Sequence, residues 1–184
     1  MRTDHRQEAP WAAAALLGVI LVGAAACEPI EELEPAPLAE GYAVAYVIDG
    51  DTIEVTGPEG ETQRVRLLGI NTPEVAHDGD AGQCGGEKAT EQLEELLPEG
   101  TAVQLVTDDR ADDEDRYDRL LRYVETEGGT DAGHALITEG YAYAWAPTSE
   151  PDPERINEYE DATATARDAD AGAWADCPNL GESR

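Results

Sequence analysis

Two turn signals divide residues 42–68 into three alternating segments, and that pattern leaves few ways to fold the first half of the chain. Residues 42–48 are rich in strand formers, Asp49-Gly50 is a strong hairpin signal, and residues 52–56 alternate with Ile53 and Val55 on one face. A second turn at Gly57-Pro58-Glu59-Gly60 leads into residues 62–68, where Val65 and Leu67 point one way and Arg64 and Arg66 the other. A three-stranded meander follows from this spacing.

Residues 87–97 change period. Ala89, Leu93, Leu96 and Leu97 recur at helical spacing, and Pro98 with Gly100 ends the pattern. Residues 102–106 and 120–124 read as two further short strands on either side of the polar stretch 108–118, and residues 131–138 and 153–168 as later helices, the last presenting Ile156, Tyr159, Thr163 and Ala166 on one side. Strands first and helices afterwards make an α+β chain. Five short antiparallel strands around one core fit a five-stranded OB-type β-barrel with about three helices, and alternation alone leaves a small sandwich open.

The barrel pattern starts only near Gly41. Arg2 and Arg6 precede an uncharged stretch, residues 11–26, that closes on Ala24-Ala25-Ala26 before Cys27. This is the layout of an export signal over residues 1–26, too short for a membrane span of about 20 apolar residues. Cleavage just before Cys27 resembles the lipobox of bacterial lipoproteins, in which that cysteine carries a lipid, although the position usually held by Leu is Ala24. Ordinary secretion therefore stays open beside a membrane-anchored form facing the periplasm or the outside. Residues 27–40, rich in proline and glutamate, read as an extended tether, residues 41–178 as one domain and residues 179–184 as a tail. With Cys27 acylated, Cys84 and Cys177 remain as an even pair in an oxidising compartment, and a Cys84–Cys177 disulfide is expected. With Cys27 free, one thiol is left over.

Polar residues gather at the ends of the meander strands. Asp49-Gly50-Asp51-Thr52 and Arg66-Leu67-Leu68-Gly69-Ile70-Asn71-Thr72-Pro73-Glu74 bring carboxylates, a carboxamide and an arginine together. Asp51 and Asn71 offer the hard oxygen ligands that Ca²⁺ or Mg²⁺ prefers, and no His/Cys cluster suits zinc or copper. Arg66 and Arg119 carry planar forks that match phosphate oxygens. Glu74, just past Pro73, is the best carboxylate for taking a proton from water.

These segments, with Gly86-Glu87-Lys88-Ala89, residues 115–123 and residues 135–142, resemble the staphylococcal nuclease (thermonuclease) family, in family order from about residue 42 to 174. The resemblance implies an OB-type barrel that hydrolyses phosphodiester bonds of DNA and/or RNA with Ca²⁺, breaking the bond on the 5′-oxygen side. It implies that Asp51 is a calcium carboxylate, that Thr72 offers its backbone carbonyl to the metal, and that Arg66 and Arg119 bind phosphate. Glu74 then matches the general base, and Arg116 and Tyr117 fall where substrate is bound. Asn71 stands where the family usually has a second calcium aspartate, so calcium affinity should be weaker. A monomer without a protein partner is expected.

Charge argues the other way. Against 41 Asp+Glu stand 12 Lys+Arg, for a formal net charge of −29, a field that repels nucleic acid at long range. A non-catalytic OB-fold binding module on the cell surface is the rival reading. Adaptation to high salt would explain the acidity without excluding catalysis. Arg122 reads as part of a solvated stripe balancing residues 112–118, His77 and His134 as surface or packing residues, and residues 78–82 as an acidic loop. Tyr141, Tyr143 and Trp145 read as packing or barrel-capping aromatics, with stacking on bases left open.

Overall fold

The computed structural model describes residues 41–76, 79, 81–177 and 180. The expectations for the signal, the tether and Cys27, for His77, Asp78 and Asp80, and for the tail 179–184 apart from Leu180 lie outside these residues, as does Pro178.

Strands β1 (Tyr42–Asp49), β2 (Thr52–Thr56) and β3 (Thr62–Leu67) form the expected meander, followed by a short β4 (Ile70–Asn71). Helix α1 (Gly86–Leu96), strands β5 (Ala102–Val106) and β6 (Leu120–Thr126), helix α2 (Ala132–Thr138), a short β7 (Tyr143–Ala144) and helix α3 (Ile156–Asp168) complete the chain, with a 3-10 turn at Gly172–Ala175. Five strands close into a barrel in the order β1-β2-β3-β6-β5. The fold is an α+β, OB-type barrel carrying three helices.

The expectation that all five strands are antiparallel is corrected at one seam. β3 and β6 run parallel, with Val65 opposite Leu120 and Leu67 opposite Arg122. Alternation reports which face of a strand is buried and says nothing of its direction. The long excursion through α1 and β5 supplies the crossover that a parallel pair needs.

The core follows from the two periods. Ile53, Val55, Val65 and Leu67 are buried from successive strands, and α1 adds Ala89 and Leu93 from its inner face. Leu96 stays only partly buried while Leu97, at the helix end, is fully covered. Truncating Leu93 to Ala there would cost about 2–5 kcal/mol. Helix α2 starts at Asp131, whose side chain accepts from the His134 N–H (3.1 Å), and α3 buries Ile156, Tyr159 and Ala166. Asp108 is buried and joins three segments, because its Oδ2 accepts from the Tyr123 hydroxyl and from the Glu154 N–H, both at 2.6 Å.

A second small core of Ala166, Ala173, Trp174, Cys177 and Leu180 sits at the chain end. Cys84 and Cys177 form the expected disulfide, with Cα atoms 5.7 Å apart, and it ties this cluster to the segment before α1. A two-stranded ribbon between β4 and β7 pairs Ile70 with Ala144 and Asn71 with Tyr143.

Candidate active site

The hairpin turn between β1 and β2 sets Asp51. Its backbone N–H is held by Asp49 Oδ1 (3.1 Å), and Gly50 packs so closely on the next layer that a Cβ there would lie 2.7 Å from Thr72 Oγ1. The buried Asp51 carboxylate accepts from the Thr52 hydroxyl at Oδ1 (3.1 Å) and from the Thr72 N–H and hydroxyl at Oδ2 (3.2 and 3.3 Å). Burial pushes its pKa up and neighbouring Asp49 adds to this; Arg66 and the threonine hydrogen bonds oppose them, and the balance is about 6.

Arg66 leaves the polar face of β3 and folds back on the turn into β4. Nη1 donates to the carbonyls of Leu67 (2.7 Å) and Ile70 (3.0 Å), while Nη2 donates to Asn71 Oδ1 (2.8 Å) and lies 2.9 Å from Asp51 Oδ2. Gly69, with φ of +79°, makes the turn that returns Ile70 and Asn71 to this guanidinium. Asn71 Nδ2 donates to the Thr72 carbonyl (3.2 Å) and to the Tyr143 hydroxyl (2.7 Å).

Arg119 enters β6 from the loop 107–119. Its Nε and Nη2 grip Asp115 Oδ2 at 2.8 and 2.7 Å, and Nη1 reaches the Thr52 hydroxyl at 3.3 Å. Asp115 Oδ1 accepts from the N–H groups of Tyr117 (2.9 Å) and Arg119 (3.1 Å). Burial resists ionisation of Asp115, but the Arg119 and Tyr117 hydrogen bonds outweigh it and hold its pKa below the usual carboxylate value. Tyr117 is exposed, with the Arg116 and Arg119 guanidinium carbons 4.7 and 5.4 Å from its ring centroid.

Asp51, Arg66, Asn71, Glu74, Arg116, Tyr117 and Arg119 all line one cavity of about 670 Å³. Thr72 lies buried beneath it against Asp51. Glu74 is solvent-exposed at the rim, its backbone N–H donating to Gln83 Oε1 (3.1 Å) and its carbonyl accepting from the Gln83 N–H (2.8 Å). The oxygens available to a cation here are the Asp51 carboxylate, Asn71 Oδ1, which shares Arg66 Nη2 with Asp51, and the Thr72 carbonyl, which accepts from Asn71 Nδ2. An all-oxygen set of this kind is the donor chemistry a hard divalent cation takes. Among the described residues no cluster of three or more His, Cys, Asp or Glu side chains suited to a metal is found, in this cavity or elsewhere.

Two readings are corrected. Arg122 is not solvated, because its guanidinium is buried and donates to Asp113 Oδ1 (2.6 Å) and to the carbonyls of Asp113 (3.0 Å) and Leu121 (2.8 Å), fastening the loop 107–119 to the barrel. Trp145 does not cap the core; it is 43% exposed and lines the cavity. No role is assigned to Asp115 in the sequence reading, although an aspartate opening a turn is the signal for it: its Oδ1 accepts from the Tyr117 N–H two residues on. His134 packs near Tyr159, with ring centroids 6.0 Å apart, away from the cavity.

The rim of an OB-type barrel thus gathers guanidiniums and carboxylates in one cavity. The model of the family described as staphylococcal nuclease homologues matches residues 64–176, and the chain belongs to that family. It is 32% identical over 156 residues to "Endonuclease YhcR" of Bacillus subtilis, covering 79% of this chain and 12% of the relative. It is 34% identical over 128 residues to "SPbeta prophage-derived endonuclease YokF" of the same organism, covering 70% and 42%. A "Thermonuclease" of Staphylococcus intermedius is 38% identical over 85 residues, covering 46% of this chain and 48% of that enzyme. The chain thus spans half or less of the length of these relatives.

Proposed function

We propose that this chain hydrolyses phosphodiester bonds in DNA and/or RNA with Ca²⁺ as cofactor. The observation that carries this reading is the convergence of Arg66, Arg119 and Glu74 on one cavity beside the buried Asp51. Relatives named endonuclease and thermonuclease support it.

In this reading the two guanidiniums bind the non-bridging oxygens of one phosphate. Each is already aimed, Arg66 by two carbonyls and Arg119 by Asp115, so little reorganisation is needed as charge builds in the transition state. Glu74 takes the proton of the attacking water. Tyr117, flanked by Arg116 and Arg119, borders the path of the strand. Calcium held by Asp51, Asn71 and the Thr72 carbonyl would supply Lewis-acid polarisation of a phosphate oxygen.

The test is incubation of the purified chain with single-stranded and duplex DNA and RNA, with calcium or with chelator, beside Glu74→Gln and Arg119→Ala. Calcium-dependent cleavage that falls by about 10² or more in each variant is expected. Absence of calcium-dependent cleavage by the parent chain would overturn the reading and favour a non-catalytic binding module. Export by residues 1–26 and a lipid on Cys27 belong to the same proposal, and labelling cells with radioactive palmitate tests the anchor.

A further inference from the structure

We infer that Gln83, braced by the Cys84–Cys177 disulfide, is a positioning residue for Glu74; its catalytic consequence rests on the phosphodiesterase reading above.

No hydrogen bond to the Glu74 carboxylate is found among the described residues, and the side chain is exposed, so where it points depends on how its backbone is held. Both backbone polar groups of Glu74 are engaged by one residue. Its N–H donates to the Gln83 carboxamide oxygen (3.1 Å), and its carbonyl accepts from the Gln83 N–H (2.8 Å). A loop residue is thereby clamped at two points to the start of α1.

The clamp has a rigid back. A Cβ on Gly86 would lie 2.5 Å from the Glu74 carbonyl oxygen, so the two backbones are in direct contact. Gly85, at φ of +93°, lies between the Pro73 ring on one side and Ala173 and Leu180 on the other, at 3.1–3.5 Å from where its Cβ would stand. Cys84 sits between clamp and glycines, and its partner Cys177 is buried in the cluster with Ala173 and Trp174. The path from the chain-end core to Glu74 is therefore continuous, running through the bridge, Gln83 and two hydrogen bonds.

Loosening the clamp leaves the phosphate-binding arginines in place and misaims only the carboxylate that activates water. Loss should fall on kcat with KM unchanged, since alignment of the reacting groups, not substrate binding, is what the clamp provides.

The experiment uses the full chain with calcium and a single-stranded oligonucleotide, and measures kcat, KM and amide hydrogen exchange at Glu74. Gln83→Leu removes the acceptor, Gln83→Glu keeps an Oε acceptor, and Cys84→Ser with Cys177→Ser removes the brace. Expected for Gln83→Leu are an about tenfold or larger fall in kcat with KM within about twofold, and Glu74 exchange faster by about tenfold with Val65 and Val124 unchanged. Gln83→Glu restores both, and the double serine variant shows the same changes in weaker form. If that variant fails to fold, Gln83→Leu, which keeps the bridge, decides alone. Unaltered Glu74 exchange in Gln83→Leu, or an equal loss in Gln83→Leu and Gln83→Glu, would overturn the inference. A parent chain that cleaves nothing refutes the phosphodiesterase reading instead, and the exchange data still decide the clamp.

Discussion

The Arg66 guanidinium lies 2.9 Å from the Asp51 carboxylate, and the two side chains keep only 11% and 10% of their surface in water. Such a pair normally holds a carboxyl low, yet Asp51 sits at about 6 because burial and Asp49 outweigh Arg66. Removing the arginine leaves the carboxylate buried with no opposing charge. Arg66→Gln should destabilise the metal-free protein by about 3 kcal/mol at neutral pH, read from urea unfolding.

The same group fixes a pH dependence. Its folded pKa of about 6 lies above the ordinary 3.8, so between those values the folded chain holds a proton that the unfolded chain has released. This contribution to stability is present at the acid end of the window and is lost as pH rises through about 6. Between pH 5 and 7 it amounts to about 1 kcal/mol, and Asp51→Asn should abolish that part of the profile. Protons and calcium compete for one carboxylate, so calorimetric calcium affinity should be weaker at pH 5 than at pH 7.

In the proposed site Asn71 would give the cation an oxygen without a charge. Asn71→Asp should tighten calcium binding, since ligand charge is one quantity that sets affinity. An unchanged or weaker calcium titration would count against Asn71 as a ligand.

Arg122 bridges the barrel to the loop carrying Arg116, Tyr117 and Arg119 through Asp113 and two carbonyls. Arg122→Met should cost about 2 kcal/mol by stranding those carbonyl partners and should raise KM as the loop loosens. Asp113→Asn should cost less than about 1 kcal/mol, because that carboxylate is 70% exposed.

On the proposed reading a chain of net charge −29 has to meet a polyanion. Adding monovalent salt first screens the repulsion and later competes at the arginines, so cleavage should rise and then fall with ionic strength. A monotonic fall from low salt would argue that the local cavity field, and not the overall charge, governs encounter.

Much of this molecule is legible in its residues, for reasons that differ by region. Val65 and Leu67 alternate with Arg64 and Arg66, so one face of β3 had to be core and the other polar; β6 is legible only from its residue types, because Arg122, Tyr123 and Val124 are buried in succession. The ribbon of β4 and β7 escapes because two-residue strands carry no period; only tertiary pairing of Asn71 with Tyr143 makes them strands. Arg122 does not follow the acidic run 112–118 upstream: its immediate neighbours Leu120, Leu121, Tyr123 and Val124 are strand residues, and its partners in space are Asp113 and two carbonyls under a folded-over loop. Trp145 looked like a capping aromatic because an aromatic near a barrel end has two possible fates, and the run through β7 and on past Ala146 turns this one into the cavity.

The parallel seam between β3 and β6 has a consequence for the order of events during synthesis. A growing chain can pair β1, β2 and β3 at once, but β3 keeps an open edge until residues 120–122 arrive. Contacts so distant in sequence place such a barrel among domains that fold in milliseconds to seconds, not microseconds. Arg66 is therefore made long before the strand that brings Arg119 beside it, and the cavity comes into being only when that last seam closes.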